Sequence, residues 1–342
     1  MSYKPLVCIC IPCYNNQDTI HDTLNSIVRQ DYDNLKIKVF DNASTDRSRE
    51  IVYSFIDQGH PIELYTREKN VSGEENFNTC IAEAEGDFCA IFHSDDVYEP
   101  EIISNQVAFL TDRLNCQAVS VHARVIDGSG QYTGDRMIPK ELQNNVSKEI
   151  ELSREELIEL SFKYGNFITC PSVLFRTDIL KNYIKEFKGS RFKSSADLNV
   201  WLRVTEKGNF GFINRPLINY RLSSSSFSFN LARARTHDHD LFLVLDDFLN
   251  QQQRWDATHA KLQKYRNFLL MKDRANTNIN RLILGQKTFQ TMELGQNFSM
   301  AMTSRFHCKY FMIALVTKII ISLPFKQNLS SLMKWVKFGH AR

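Results

Sequence analysis

Residues 6–15 have the sequence LVCICIPCYN, an apolar run followed at once by polar side chains. An uninterrupted run of this length, rich in Val and Ile, predicts a strand that is buried on both faces and ends at Pro12. Such strands are typical of parallel sheets whose two faces are covered by helices. The polar residues Tyr14 and Asn15 would then lie just beyond the carboxyl end of this strand.

The next eighty or so residues alternate between helical and strand patterns. Apolar residues recur at helical spacing from Ile20 to Val28, and an alternating strand pattern follows from Leu35 to Val39. The same alternation continues with helices near 46–55 and 77–84 and with strands at 62–65 and 88–92. This order predicts an α/β fold, in which helices cover both faces of a largely parallel sheet.

Ligands of such sheets bind beyond the carboxyl ends of the strands. Polar side chains follow the predicted strands at Tyr14–Asn15, at Asp41–Asn42 and at His93–Asp96. Adjacent carboxylates such as Asp95 and Asp96 repel each other unless a cation or another partner intervenes. The pair is therefore either a site for Mg²⁺ or Mn²⁺, which favour oxygen ligands, or a solvated turn that caps the following helix.

Two further aspartates each have two interpretations. Asp41 either accepts a hydrogen bond from a nucleobase or begins an Asx-type turn over 41–46. Asp197 precedes an apolar helical face, so it is either the N-cap of that helix or a general base beside an acceptor hydroxyl. Spacing in the sequence does not separate these roles.

The charge of the chain is unevenly distributed. Residues 294–342 contain seven Lys or Arg and no Asp or Glu, whereas the preceding chain has 35 basic and 39 acidic residues. The apolar runs 310–316 and 319–325 are too short, and too charged at Lys318, for a predicted membrane span. Helical spacing over 329–336, with Trp335, predicts an amphipathic helix that either lies in a membrane interface or packs on the preceding part of the chain.

Three other features have simpler interpretations. The eight cysteines lack framework spacing, and the sequence opens without a signal segment, so we expect a protein of the reducing cytoplasm. Cys8, Cys10 and Cys13 are predicted to pack in the core, and the His237–Asp240 segment is predicted to be a solvated helical face, not a metal site. Nucleic-acid binding is not predicted, because the basic residues are concentrated in the apolar tail.

The order of short motifs along residues 4–226 resembles that of the family 2 glycosyltransferases, which have the A-type glycosyltransferase fold. The motifs are Pro12-x-Tyr14-Asn15, Asp41-Asn42-Ala43-Ser44-Thr45-Asp46, Asn70-x-x-Gly73-x-x-Asn76, Ala84-x-Gly86-Asp87, Ser94-Asp95-Asp96, Gly165-Asn166, Pro171-Ser172, Ala196-Asp197, Trp201-Leu202-Arg203 and Tyr220-Arg221. Each motif is common by itself, whereas the ordered set is specific.

This resemblance assigns roles to individual residues. It implies a Rossmann-like nucleotide-binding sheet and metal-dependent transfer of a sugar. The implied sites are a nucleotide site with Pro12, Tyr14, Asn15, Asp41, Asn76 and Asp95, a Mn²⁺ or Mg²⁺ site with Asp95 and Asp96, the catalytic base Asp197, and Asn166 and Arg221 on the acceptor side. The chain departs from the family pattern at His93, where an Asp is usual, at Ala196, where a Glu is frequent, and at Ser223, where a His is frequent.

The resemblance also implies a domain organisation. We expect a catalytic domain over 1–229, with a nucleotide-sugar half at about 1–96 and an acceptor half at about 97–229, followed by a helical, basic and amphipathic region over 230–342. The serine run 223–226 marks the boundary.

Together with the basic tail, the resemblance predicts an inverting enzyme at the inner face of a bacterial cell membrane. Such an enzyme would move a sugar from a nucleotide-diphosphate sugar, expected to be a UDP-sugar, to a glycan or lipid-linked acceptor of capsule, O-antigen or lipooligosaccharide. One alternative is a catalytically silent nucleotide-sugar-binding protein of the same fold. Another is a metal-dependent nucleotidyltransferase, which would need a Gly-rich basic phosphate loop that the N-terminal sequence lacks.

Overall fold

The computed structural model describes residues 3–145, 147–222, 235–251, 256–324, 326–329 and 333–334. The serine run 223–226 lies outside the described residues, as do Leu332, Trp335 and Val336 of the predicted amphipathic helix. The chain divides into two compact units, one of Met1–Leu160 with Asn166–Ser223 and one of Ser161–Gly165 with Ser224–Arg342. The functional division at residue 229 stays a prediction.

The first unit is built on one mixed sheet. Its strands within the described residues are β1 (Val7–Cys13), β2 (Leu35–Asp41), β3 (Ile62–Thr66), β4 (Phe88–Ile91), β5 (Val97–Tyr98), β6 (Cys116–Ile126), β7 (Tyr132–Asp135), β8 (Glu149–Leu152), β9 (Val173–Arg176) and β10 (Asn209–Arg221). They are ordered β3-β2-β1-β4-β9-β6-β10-β5, with β7 beside β6 and β8 beside β10. The predicted parallel arrangement is confirmed for β3, β2, β1 and β4, whereas β9 is antiparallel to both of its neighbours.

Helices flank this sheet. They are α1 (Ile20–Ile27), α2 (Ser48–Asp57), α3 (Gly73–Ala82), α4 (Ile102–Asp112), α5 (Lys140–Gln143), α6 (Arg154–Tyr164), α7 (Gly189–Phe192) and α8 (Ala196–Val204), with 3₁₀ turns at Cys170–Ser172 and Lys193–Ser195 and a π-helical turn at Ile179–Ile184. Helix α1 shows why the pattern folds this way: Ile20, Leu24 and Ile27 lie on one side of the helix and are fully buried. They pack in a single core cluster with Val7 and Ile9 of β1.

Strand β1 extends one residue beyond the predicted end at Pro12. It pairs with β2 along Val7–Cys13 but with β4 only along Val7–Cys10. The carbonyl of Cys13 accepts from the backbone N–H of Asn42, on the β2 side, so the preceding Pro12 is directed to the β4 side. Because the ladder with β4 has already ended there, the missing N–H of the proline removes no sheet hydrogen bond.

Strand β10 carries an irregularity that sets the direction of its last side chains. Ile213 lies opposite Val121 of β6 and Ile218 lies opposite Ala123, so five steps along β10 match two steps along β6. Regular pairing then continues to Arg221. Since successive side chains of a strand alternate between faces, Tyr220 and Arg221 point to opposite faces of the sheet.

The second unit is helical within the described residues, as predicted for the C-terminal region. Its elements are α9 (Leu241–Gln251), α10 (Ala257–Ile283), α11 (Leu294–Ala301), α12 (Arg305–Ser322) and a 3₁₀ turn at Lys326–Leu329. A small apolar cluster that includes Phe268, Met271 and Ala314 holds these helices together. None of the helices in the described residues is both long enough and apolar enough to span a membrane.

The His237–Asp240 segment is not the helical face that its sequence predicts, although His237 is exposed; Asp238 and His239 are tied into this unit. The carboxylate of Asp238 forms an ion pair with Arg274 at 2.8 Å and accepts from Gln290 Nε2 at 2.7 Å. The backbone N–H of His239 donates to Asp273 at 3.0 Å. The groups of potential metal ligands found in the described residues lie elsewhere, at Cys8, Cys10 and Cys89 and at His93, Asp95 and Asp96.

Candidate active site

The loops that follow β1 and β2 are fastened to each other by side chains. Asn15 adopts a φ of +53°, a left-handed conformation that Asn tolerates better than most residues. Its backbone N–H donates to Ser44 Oγ at 2.9 Å, and its Oδ1 accepts from the backbone N–H of Thr45 at 2.8 Å. Asn15 therefore links the loops that follow β1 and β2. Its predicted contact with a nucleotide stays a prediction.

A cavity of about 310 Å³ lies at the carboxyl ends of β1 and β4. Its volume is at the lower end of the range of small-molecule sites. The lining residues are Pro12, Cys13, Tyr14, Asn16, Asn42, Asn70, Val71, Gly73, Asn76, Phe77, His93, Ser94 and Asp95. The structure thus brings together Pro12, Tyr14, Asn76 and Asp95, four of the residues predicted to bind a nucleotide.

Two buried acceptors beneath this cavity have no hydrogen-bond partner within the described residues. Asp41 is 1% exposed; its Oδ2 accepts from the backbone N–H of Ser44 at 3.1 Å, while its Oδ1 is unpaired. Asn76 donates from Nδ2 to the carbonyl of Phe40 at 3.1 Å, and its Oδ1 is also unpaired. A buried acceptor without a donor costs about 1–3 kcal/mol, which a ligand N–H or O–H would recover. Asp41 thus makes the predicted turn, whereas it does not line the cavity, and its predicted contact with a nucleobase stays a prediction.

His93, Asp95 and Asp96 form a cluster on the turn after β4. One potential ligand atom from each lies within 4.8 Å of the other two. Asp96 is fully buried; its Oδ1 accepts from the backbone N–H of Arg221 at 2.8 Å, and its unpaired Oδ2 lies 3.9 Å from His93 Nδ1. Carboxylate oxygens with an unpaired lone pair are the donors that Mn²⁺ and Mg²⁺ favour, and manganese also accepts imidazole nitrogen. The residues present fit a divalent cation.

Burial and mutual repulsion shift the protonation of this cluster. Burial raises the pKa of Asp96 well above its ordinary value, and the negative charge of Asp95 raises it further. Burial lowers the pKa of His93, against the opposing effect of Asp95. A cation at this position would relieve the repulsion between the two carboxylates and so favour their ionised forms.

Arg221 holds the Asp95–Asp96 turn by hydrogen bonds. Its side chain is buried and donates from Nε to the carbonyl of Asp95 at 2.7 Å and from a terminal nitrogen to the carbonyl of Gly128 at 3.1 Å. A second terminal nitrogen lies 3.4 Å from Asp22. The guanidinium thus holds the Asp95–Asp96 turn in place, and the predicted role of Arg221 toward an acceptor stays a prediction.

Asp197 occupies the first turn of α8 but is not its N-cap. The helix begins at Ala196 and its N-cap is Ser195, so the N-cap interpretation of Asp197 is wrong. The carboxylate accepts from Asn166 Nδ2 at 2.8 Å and from the backbone N–H of Leu198 at 2.8 Å. Burial raises the pKa of Asp197 to about 6, against the opposing effects of these hydrogen bonds and of the positive charge of Arg136. A carboxylate with this pKa is suited to accept a proton near neutral pH.

Two residues whose charge or thiol interacts with Asp197 belong to no sequence motif, so the sequence analysis did not identify them. Cys170 begins the 3₁₀ turn before β9, and burial together with the charges of Asp197 and Asp96 raises the pKa of its thiol. This thiol therefore lies within electrostatic reach of both carboxylates. Arg136 follows β7, and its guanidinium lies 5.5 Å from the ring centre of Tyr220. Both residues reach the site through long-range strand pairing.

The model of the family described as glycosyl transferase family 2 matches residues 8–184 of the chain. The protein belongs to this family. This family 2 glycosyltransferase is 24% identical over 231 residues to a putative teichuronic acid biosynthesis glycosyltransferase, TuaG, of Bacillus subtilis. The alignment covers 66% of this chain and 83% of that protein. It is 27% identical over 246 residues to the UDP-Glc:α-D-GlcNAc-diphosphoundecaprenol β-1,3-glucosyltransferase WfgD of Escherichia coli, covering 71% of this chain and 87% of that one. An uncharacterized glycosyltransferase of Rickettsia prowazekii is 24% identical over 340 residues, which are 98% of this chain and 97% of the relative.

Solved structures confirm the fold of this glycosyltransferase. Staphylococcus aureus TarS 1–349 in complex with UDP-GlcNAc superposes with a TM-score of 0.60 at 15% identity, covering 98% of this chain and 93% of that one. The mannosyltransferase PcManGT from Pyrobaculum calidifontis, in complex with GDP-Man and Mn²⁺, superposes with a TM-score of 0.57 at 16% identity, covering 93% and 88%. The chain therefore has the A-type glycosyltransferase fold followed by helices.

Proposed function

We propose that this glycosyltransferase moves a sugar, with inversion, from a nucleoside diphosphate sugar to a hydroxyl of a glycan or lipid-linked acceptor in bacterial surface-polysaccharide biosynthesis. One observation carries the proposal: a small cavity with unpaired buried acceptors adjoins the His93, Asp95 and Asp96 cluster. This combination suits a nucleoside joined to a metal-bound diphosphate. The names of the relatives support the coarser part, because one acts in teichuronic acid biosynthesis and another on a diphosphoundecaprenol acceptor.

The donor is proposed to lie with its nucleoside against Pro12, Tyr14 and Asn76. Asp41 and Asn76 each offer an unpaired oxygen, and the imide N–H of uracil or thymine is a donor of the kind that Asp41 lacks. The complex of TarS with UDP-GlcNAc supports a UDP-sugar, whereas the complex of PcManGT with GDP-Man keeps the guanine alternative open to test. We propose a UDP-sugar because the cavity is small.

The reaction is proposed to be a single displacement. The acceptor hydroxyl gives its proton to Asp197 while its oxygen forms a bond to the anomeric carbon, and the bond from that carbon to the diphosphate oxygen breaks. Asp197 is mostly ionised at neutral pH because its pKa is about 6, and Asn166 holds it in position. Mn²⁺ or Mg²⁺, held by Asp95 and Asp96 with His93 in reach, would supply neutralisation of the negative charge on the leaving diphosphate.

The acceptor is proposed to approach at the peripheral surface of the inner membrane. The support is the charge of the tail, since residues 294–342 contain seven basic and no acidic residues, which favours an anionic surface. Deletion of residues 324–342 should then weaken co-sedimentation with vesicles that contain anionic lipid and leave nucleotide binding unchanged. Equal co-sedimentation of the full chain and the truncated chain would contradict the membrane contact alone.

The donor half of the proposal can be tested without an acceptor. Purified protein is mixed with Mn²⁺ and UDP-, dTDP- or GDP-sugars, and the thermal midpoint and the released nucleoside diphosphate are measured with and without chelator. We expect one class of donor to raise the midpoint only with metal, and Asp95→Ala to abolish the effect. Asp112→Ala, an exposed position at the end of α4, is the matched control.

The outcomes separate the proposed enzyme from the alternatives. A metal-dependent thermal shift without release of nucleoside diphosphate, even with lipid-linked acceptors, would favour a silent binding protein of the same fold. A folded protein with no metal-dependent shift for any donor would contradict the proposed donor site. The family match to glycosyltransferases gives no support to a nucleotidyltransferase.

A further inference from the structure

A second and larger cavity, of about 730 Å³, lies in the first unit and is not lined by Asp95, Asp96 or Asp197. Its floor consists of side chains from the ends of three neighbouring strands. Asn219 of β10 lies opposite Arg124 of β6. Two residues further along, Arg221 of β10 lies opposite Ile126 of β6, which in turn lies opposite Tyr132 of β7. All five line the cavity, as residues directly opposite each other in a sheet share one face.

One wall of this cavity is the polar side of α1. Asp22, Asn25, Ser26 and Arg29 line the cavity, and their spacing of three and four residues places them on one side of a helix. The apolar side of the same helix is buried in the core. Ser26 Oγ donates to the carbonyl of Thr23 and accepts from the backbone N–H of Tyr98, and Asp22 pairs with Arg221. Asn25 and Arg29 are therefore the groups of this wall that a ligand would meet.

The proposed base Asp197 does not line this cavity, and neither does Asn166, which holds it. Tyr220 contacts Arg136, whose charge acts on Asp197, while its neighbour Arg221 points to α1 and lines the cavity. Tyr220 itself does not line the cavity. A ligand in the larger cavity would not occupy the position of the reacting hydroxyl.

The lining of the cavity is positively charged. It includes three arginines and one carboxylate, Asp22, which lies 3.4 Å from Arg221. Arg124 forms an ion pair with Glu99 at 3.2 Å, whereas the exposed Arg29 makes no hydrogen bond or ion pair to the rest of the described chain. An anion would therefore find an unpaired guanidinium here, and arginine is well suited to carboxylate and phosphate groups.

The cavity also presents an aromatic ring. Tyr132 is 60% exposed although it lines the cavity, so the apolar face of its ring is open to a ligand. The C–H face of a sugar ring can pack on such a surface while its hydroxyls bond to Asn25 and Asn219. We propose that this cavity binds an anionic oligosaccharide at a site separate from the transfer reaction. This inference goes beyond the proposed function and does not depend on it.

Isothermal titration calorimetry on the full chain can test this site with defined probes. The probes are trigalacturonic acid, a phosphorylated maltotriose, neutral maltotriose and inorganic phosphate. We expect one of the two anionic trisaccharides to bind more tightly than maltotriose and phosphate, and added salt to weaken its binding. Which of the two binds distinguishes a uronic acid from a phosphosugar as the source of the anion.

Variants connect the binding to the cavity. Arg29→Ala and Tyr132→Ala should each lower the affinity for the anionic trisaccharide by about tenfold or more, as expected for a lost charged or stacking contact. The matched controls are Arg47→Ala and Tyr53→Ala, which are exposed on or next to α2 and do not line the cavity. Binding of UDP with Mn²⁺, measured on the same samples, should be unchanged in all four variants.

The results that would overturn the inference are distinct from those that concern the nucleotide site. Failure of both anionic trisaccharides to bind, equal binding of maltotriose, or equal effects of the control variants would each overturn it, even with intact UDP binding. If the unmodified protein binds the trisaccharide but does not bind UDP with Mn²⁺, the result would instead count against the proposed function alone.

Discussion

Replacement of Asp197 by Asn tests the proposed base and also probes the energetics of its burial. The amide cannot accept a proton from an acceptor hydroxyl, so transfer should fall by at least about a hundredfold, as expected for loss of a positioned base. UDP binding with Mn²⁺ should be unchanged, because Asp197 is proposed to contact the acceptor and not the nucleotide. The same substitution should make the folded protein more stable.

The magnitude of this stabilisation follows from the pKa of Asp197. The rise from 3.8 to about 6 means that keeping the buried carboxylate ionised at neutral pH costs up to about 3 kcal/mol. The carboxylate accepts two hydrogen bonds, from Asn166 and from Leu198, and an amide oxygen can replace only one of them. Subtracting about 1 kcal/mol for the other leaves a net gain of about 2 kcal/mol.

The gain should depend on pH with a definite sign. The folded-state pKa of Asp197 is raised, so between about pH 4 and pH 6 the unfolded chain releases a proton that the folded chain retains, and the wild type loses stability as the pH rises. The variant carries no such group. The pH-dependent part of its advantage should be full at pH 8 and roughly half as large at pH 5. After subtraction of about 1 kcal/mol for the lost hydrogen bond, the net gain should fall from about 2 kcal/mol at pH 8 to about 0.5 kcal/mol at pH 5.

Thermal unfolding at pH 5 and pH 8 measures this difference. A gain of about 2 kcal/mol corresponds to a rise of about 4–8 °C in the midpoint for a unit of this size. Asp57→Asn, at the exposed end of α2, serves as the control for removal of a surface charge. An Asp197→Asn protein that retains more than a tenth of the activity would refute the base assignment. A gain in stability over the wild type that is no larger at pH 8 than at pH 5 would refute the burial argument.

Three other substitutions test the nucleotide site, the metal site and the backbone. Asp41→Asn places a donor where an unpaired acceptor now lies, so UDP affinity measured by calorimetry should fall by about tenfold or more, and unchanged affinity would contradict the nucleobase contact. Asp96→Asn can keep the hydrogen bond from Arg221 but loses the charge, so Mn²⁺ affinity followed by electron paramagnetic resonance should fall by about tenfold or more; equal affinity would exclude Asp96 as a ligand. Gly86→Ala should lower the free energy of unfolding by about 2 kcal/mol or more, because φ is +75° and the new Cβ would lie 2.7 Å from the carbonyl oxygen of Leu6. Gly59→Ala, with φ at +86° and open space around it, isolates the backbone strain and should cost less; equal losses in urea denaturation would contradict the steric argument.

The nucleotide half of the fold was predictable because each element has a strong local signal. The buried apolar run of β1 and the helical spacing of α1 depend on residues that are neighbours in the sequence. The insertion of β9 between β4 and β6 was not predictable, because this four-residue strand pairs with segments more than about fifty residues away. Periodicity identifies a strand but does not choose its partner.

The candidate site was predictable to a different degree at each residue. Spacing left Asp41, Asp197 and the carboxylate pair with two interpretations each, and the resemblance to a family chose among them. The structure removed one of these alternatives by placing Ser195 at the N-cap of α8. Arg136 and Cys170 were missed because neither belongs to a motif, and only tertiary packing brings their charges near Asp197.

The irregular pairing within β10 restricts how this protein can vary in length. The extra residues between Ile213 and Ile218 determine that Tyr220 lies against Arg136 and that Arg221 lies against the Asp95–Asp96 turn. Deletion or insertion of a single residue in this segment would exchange the two side chains, whereas a change of two residues would preserve their faces. Among descendants of this chain, tolerated length changes here should therefore come in even numbers.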